Sequence, residues 1–109
     1  MTGRPDTGDE LLRMLSALAN EHRLRIIAAL AGGRNYVSQL ARDLGIGRPV
    51  LHMHLRRLEA AGLIVGTLEL SRDGKAMRYY ETAPFALEIT PDLVRRAAQT
   101  LTVPEEDGR

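Results

Sequence analysis

The chain has 109 residues, 15 Lys and Arg against 14 Asp and Glu, and no cysteine. That length suits one small domain with a modest core, which dimerisation would help stabilise. The missing cysteines exclude disulfides, thiolate metal sites and cysteine redox sensing. No apolar run approaches the roughly 20 residues of a membrane helix, and residues 1–8 are no signal peptide, so a cytoplasmic protein is expected.

Residues 1–8 are rich in Gly, Pro, Thr and Asp and are expected to form a disordered tail. The domain is placed at 9–102. Asp9 can cap a helix over Glu10 to Ala19. Its apolar residues Leu11, Leu12, Met14, Leu15, Leu18 and Ala19 cover more than one stripe, so two faces should be buried. One face meets its own domain and the other a partner subunit. Asn20 caps a second helix, Glu21 to Ala31. Leu24, Ile27 and Ala28 lie on one face with Ile26 and Leu30 beside them, and His22, Arg23 and Arg25 fall on the polar side. Gly32-Gly33 stops it.

Val37 to Ile64 then reads as two helices joined by a tight turn. Leu40, Ala41 and Leu44 share one face of the first. Gly45 permits a left-handed helix end, and Ile46 turns back towards the core. Pro49 suits the first turn of the second helix, Arg48 to Ala61, because no N–H is needed there. Val50, Leu51, Leu55 and Leu58 are its expected buried stripe. Arg48, His52, Arg56, Arg57 and Glu59 point away from it. A short helix, a turn and a second helix form the helix-turn-helix unit, which lays its second helix in the major groove of DNA.

Ile64 to Thr82 reads as a hairpin, because Asp73-Gly74 favours a two-residue turn. That turn would pair Arg72 with Lys75, Leu70 with Met77, Glu69 with Arg78 and Leu68 with Tyr79. One face would hold Leu68, Leu70, Met77 and Tyr79, and a slip of one residue would destroy this sorting. Thr90-Pro91-Asp92 starts a last helix with cap, proline and acid in order. Leu93, Val94, Ala97, Ala98 and Leu101 form a stripe suited to packing against the first helix across a two-fold axis. Residues 103–109 form an acidic tail. The expected fold is mainly α with a small β-hairpin: five helices plus a two-stranded wing.

Net charge is only +1, but the charge is unevenly placed. Eight bases face four acids between Arg34 and Arg78, and the stretch after Arg78 is acidic. A positive face therefore coincides with the helix pair and hairpin.

GIGRPVLHMHLRRLEAAGLI, followed by a hairpin, resembles the winged helix-turn-helix of ArsR-type repressors. His54, Leu55, Leu58 and Ala61-Gly62-Leu63 match that family's pattern, while His52 stands where a Ser is usual. LANEHRLRIIAAL, from Leu18 to Leu30, is similar to the family's second helix. The resemblance spans about Leu11 to Thr82 and implies a dimeric DNA-binding regulator. The family's metal sensors use cysteines near the helix-turn-helix, or His and carboxylate sets on the last helix. Neither occurs here, so neither cofactor nor metal is expected.

No paired-carboxylate or phosphate-cradling signature suggests an enzyme. Ser16, Ser38 and Ser71 each have a local structural reading. His52 and His54 point about 200° apart on a helix and cannot chelate one metal together. The expected function is a homodimeric, sequence-specific DNA-binding repressor; the alternative is a winged-helix module that binds protein. Candidate DNA-binding residues are Ser38, Gln39, Arg48, Pro49, His52, His54, Arg56, Arg57, Arg72, Lys75 and Arg78. Candidate dimerisation residues are Leu11, Leu12, Leu15, Leu93, Val94, Ala97 and Leu101. Double-stranded DNA and a second copy are the expected partners, with a small-molecule or protein effector as a third.

Overall fold

The computed structural model describes residues 4–103. Parts of both expected tails, residues 1–3 and 104–109, lie outside the described residues. The elements run α1 (Gly8–Leu18), α2 (Glu21–Ala31), β1 (Asn35–Tyr36), α3 (Val37–Leu44), α4 (Arg48–Ala60), β2 (Ile64–Leu70), β3 (Ala76–Thr82) and α5 (Pro91–Ala98).

Helix α1 starts earlier than Asp9 predicts. Thr7 is the cap, and with Glu10 it forms a capping box in which each side chain bonds the other's backbone N–H. Asp9 instead bonds the far end of the chain. Its carboxylate accepts from the Thr102 N–H at 3.0 Å and from the Thr102 hydroxyl, which holds its pKa below the ordinary carboxylate value. The Gly8 N–H donates to Thr100 Oγ1 at 2.7 Å. A Cβ on Gly8 would lie 2.2 Å from the Ala97 carbonyl oxygen, so only glycine admits this approach. The expected α1–α5 packing across a two-fold axis therefore has a counterpart within the chain. Helix α5 ends at Ala98, which leaves Leu101 beyond it.

Helix α2 has the predicted cap, with Asn20 Oδ1 accepting from the Arg23 N–H at 3.1 Å, but its inward face differs. Arg23, Ile26 and Leu30 are buried and Leu24 is exposed. The core gathers Met14, Ala17, Ile26, Leu30, Leu40, Leu51, Leu55, Leu58, Leu63, Ile64 and Tyr80. It draws on α1 to α4 and the base of the hairpin.

The sheet has three strands, not two, in the order β1-β3-β2. Asn35 and Tyr36, expected to be a plain connection, pair with Tyr80 and Tyr79. The hairpin also takes the slipped register: Leu70 pairs with Ala76, Glu69 with Met77, Leu68 with Arg78 and Thr67 with Tyr79. The reason is the turn. The loop has three residues, Arg72-Asp73-Gly74, closed by the Ser71 N–H on the Lys75 carbonyl at 2.8 Å. The Gly74 N–H reaches the Ser71 carbonyl, and Gly74 sits at φ 82°. A type I turn followed by a left-handed glycine accepts Asp-Gly as readily as the two-residue turn does. Met77 and Tyr79 consequently face away from Leu68 and Leu70, which are both exposed.

Candidate nucleic-acid interface

The turn between α3 and α4 sets the angle of the second helix. Gly45 ends α3 at φ 68°, and the N–H groups of Gly45 and Ile46 both reach the Ala41 carbonyl. Gly47 precedes α4, and Pro49 occupies its first turn. At the far end the Leu63 N–H bonds the Leu58 carbonyl at 3.0 Å, with Gly62 at φ 77°. Both ends thus close in left-handed glycines, which need no side-chain cap.

Helix α4 buries Leu51, His54, Leu55 and Leu58. Val50, predicted inside, is 45% exposed, and His54, predicted at the DNA surface, is 4% exposed. The inward direction is fixed by α1, α2, α3 and β2, all of which touch α4. The stripe is centred between Leu51 and Leu58, so position 54 is drawn in and position 50 is turned out.

His54 bonds a buried arginine. Its Nδ1 lies 3.0 Å from Arg23 Nη1. Arginine only donates, so Nδ1 accepts and carries no proton. Arg23 Nε also donates to the Ala17 carbonyl at 2.6 Å, and Nη2 to the Ser16 carbonyl at 3.3 Å. These carbonyls belong to the last turn of α1, where a cation suits the negative end of the helix. Burial, then the charges of Arg23, His22 and Arg57, hold the His54 pKa below the ordinary value. Burial likewise lowers that of Arg23. Arg23 shares its face with Ile26 and Leu30 at i, i+3 and i+7, a spacing that could have marked it as inward.

Arg48, Pro49, Arg56 and Arg57 are exposed along α4, and His52 is half-buried. Arg72 and Lys75 are exposed at the tip of the wing, and Arg78 lies on β3. Ser38 and Gln39 are half-buried on α3. Gln39 Nε2 donates to Asp43 at 2.7 Å, and Gln39 Oε1 accepts from Arg42 at 2.7 Å.

The wing is held by a clamp that the sequence did not announce. Arg34 Nη2 donates to Glu69 Oε1 at 3.0 Å, and Nη1 donates to Oε2. Arg34 stacks 4.2 Å above the Tyr79 ring, which packs edge-on against Tyr36. Glu69 therefore pairs with Arg34 and not with Arg78. The two charges share hydrogen bonds, so the carboxyl sits below its ordinary pKa and the guanidinium above. Exposed Met53 was also missed; it faces outward, next to arginines.

Of the expected dimer residues, Leu11 is buried inside its own chain. Leu15, Leu93 and Ala97 are half-buried, and Leu12, Val94 and Leu101 are exposed. Among the described residues no three His, Asp or Glu side chains gather as metal ligands, and no helix is long and apolar enough to cross a membrane.

Comparison with known proteins agrees with this architecture. The family model for bacterial regulatory proteins of the arsR family matches residues 20–65. An uncharacterised HTH-type transcriptional regulator of Methanocaldococcus jannaschii is 31% identical over 87 residues, covering 80% of this chain and 90% of that protein. An HTH-type transcriptional regulator of Mycobacterium tuberculosis is 35% identical over 91 residues, covering 83% and 80%. Among solved structures, one similar fold is the homodimeric winged helix-turn-helix DNA-binding domain of a possible ArsR-family regulator from Mycobacterium bovis. It shares 28% identity at a TM-score of 0.63, over 91% of this chain and 85% of that one. The glycine-closed helix pair, the clamped wing and these relatives lead to one assignment: the chain belongs to the ArsR family of helix-turn-helix transcriptional regulators.

Proposed function

We propose that this protein is a homodimeric, sequence-specific repressor that reads DNA with α4 and grips the backbone or the minor groove with the wing. The observation that carries the reading is the outward face of α4, where Arg48, Arg56 and Arg57 stand exposed. Arg48 and His52 lie on the first turns, the part of a recognition helix that meets base edges. Arg56, Arg72 and Lys75 supply phosphate contacts, which carry affinity without sequence information. The homodimeric relative from Mycobacterium bovis supports pairing of two copies, with half-sites about 34 Å apart. The family's metal-sensing motifs are not carried over, so affinity should not depend on zinc or a chelator.

The test is a binding series on operator variants at several salt concentrations. Arg48→Ala should relax preference at one base pair per half-site. Lys75→Ala should weaken all sequences alike and lower the salt slope by about one unit. Equal loss on every sequence for Arg48→Ala, with altered base preference for Lys75→Ala, would reverse the assignment. Partner-protein binding without salt-dependent DNA affinity would favour the interaction module instead.

A further inference from the structure

Two apolar side chains stand in the open on the most cationic helix of the chain. Met53 is 47% exposed and Val50 is 45% exposed. At about 100° per residue, Met53 lies opposite the buried stripe of Leu51, Leu55 and Leu58. Pro49 is one turn before it and Arg56 nearly one turn after. Val50 is its neighbour at i−3, where helix side chains touch. Arg56 and Arg57, at i+3 and i+4 from Met53, flank it on either side, while Arg48 and His52 lie further round the helix on the side away from Val50. Met53 thus lies near the middle of the outward face, with Val50 towards its edge.

We propose that Met53, assisted by Val50, is a specificity-determining contact for the C5-methyl group of a pyrimidine in each half-site. The inference rests on reading α4 as the DNA-facing helix. The major-groove edges of the bases present donors and acceptors, and the methyl group of thymine is the one bulky apolar feature among them. Met and Val offer no donor and no strong acceptor. Pressed against a polar base edge, they would strip it of water and return no hydrogen bond, which is costly. Against a methyl group, the same side chains remove apolar surface from water on both sides. The unbranched thioether of Met53 adapts its rotamer to that target. The surrounding arginines select an anionic surface, which favours nucleic acid over an apolar protein partner. A 5-methylcytosine presents the same methyl group as thymine, so either base is a source of the contact.

The experiment uses the full chain and an operator selected by the wild-type protein from random duplexes. Each thymine is replaced in turn by uracil, and each cytosine by 5-methylcytosine. One or two uracil positions per half-site should weaken the wild type about three- to fivefold, the effect of one buried methyl-sized group. Met53→Ala should lose that response at the same positions while keeping its preferences elsewhere. A gain on 5-methylcytosine, also lost in Met53→Ala, would identify methylated cytosine as the source and support the same contact. Val50→Ala should reduce the response partially. Met53 is exposed, so both variants should fold, and circular dichroism melts check this. Identical uracil and methylcytosine profiles for wild type and Met53→Ala would overturn the inference while leaving the DNA reading of α4 intact. If no duplex were enriched, that reading would fail and this inference with it.

Discussion

Arg23 of α2 and His54 of α4 meet through Nη1 and Nδ1 at 3.0 Å, 31 residues apart in the chain. The same arginine holds the last carbonyls of α1. One side chain thus joins the first helix, the second helix and the proposed recognition helix. No buried side-chain nitrogen or oxygen among the described residues is left without a partner. The link works only while His54 Nδ1 is free of a proton.

Acid should therefore loosen the domain. His54 has a lower pKa in the folded chain than the ordinary 6.5, because it is buried among Arg23, His22 and Arg57. The unfolded chain then binds more protons between the two values, so stability rises with pH there. The contribution is complete above about pH 6.5 and is lost as pH falls through the folded value. Melting temperatures from pH 8 to pH 5 should show the fall, and His54→Gln should flatten it. Arg23→Ala should cost about 2–3 kcal/mol in urea unfolding, since it strands hydrogen-bonding groups in the interior. An unchanged midpoint for Arg23→Ala would contradict this account of the link.

The wing clamp should matter to binding more than to stability. Arg34 and Glu69 are each 44% exposed at the side chain, and exposed ion pairs contribute little to folding. The pairing nevertheless ties Glu69, near the end of β2 at the wing tip, to Arg34 beside β1. Arg34→Ala should leave the melting temperature nearly unchanged and weaken DNA binding, with a shallower salt dependence if wing contacts are lost. A large drop in melting temperature would show that the clamp holds the core and not the wing alone.

Gly66 should tolerate no side chain. A Cβ there would lie 2.8 Å from Tyr80 Cε1 and 3.3 Å from Arg78 Nη1. The Tyr80 ring is buried and belongs to the core, so it cannot swing away freely. Gly66→Val should destabilise the protein by about 1–3 kcal/mol, the usual cost of overpacking. Denaturant midpoints for Gly66→Ala and Gly66→Val would check this, with the larger residue giving the larger loss.

The proposed dimer separates two neighbouring leucines. Leu12 is 56% exposed, whereas Leu11 is 5% exposed within its own chain. Leu12→Glu should yield folded monomers in sedimentation and weaken DNA binding. Leu11→Glu should unfold the chain, because it buries an unpaired charge. If Leu12→Glu sediments as the wild type does, the exposed side of α1 is not the interface.

The helix pair and its ends were legible in the residues themselves. Gly45, Pro49 and Gly62 act through local backbone geometry, and a repeating apolar stripe needs no partner to be recognised. The cap of α2 at Asn20 is local in the same sense. The register of the wing was not determined by its sequence, because Asp73-Gly74 serves two loop lengths with opposite sorting of the faces. Only the packed sheet chose, burying Tyr80 over Gly66 and leaving Leu68 and Leu70 outside. The burial of Arg23 and His54 and the exposure of Val50 and Met53 depend on how α4 is rotated against four neighbouring elements. Periodicity places a stripe on a helix to within about one residue; it does not say which edge of the stripe tertiary contacts will cover. Arg34 and Glu69 lie 35 residues apart, and no local pattern pairs them. Such partners are decided by the fold, because they meet only once the chain has closed.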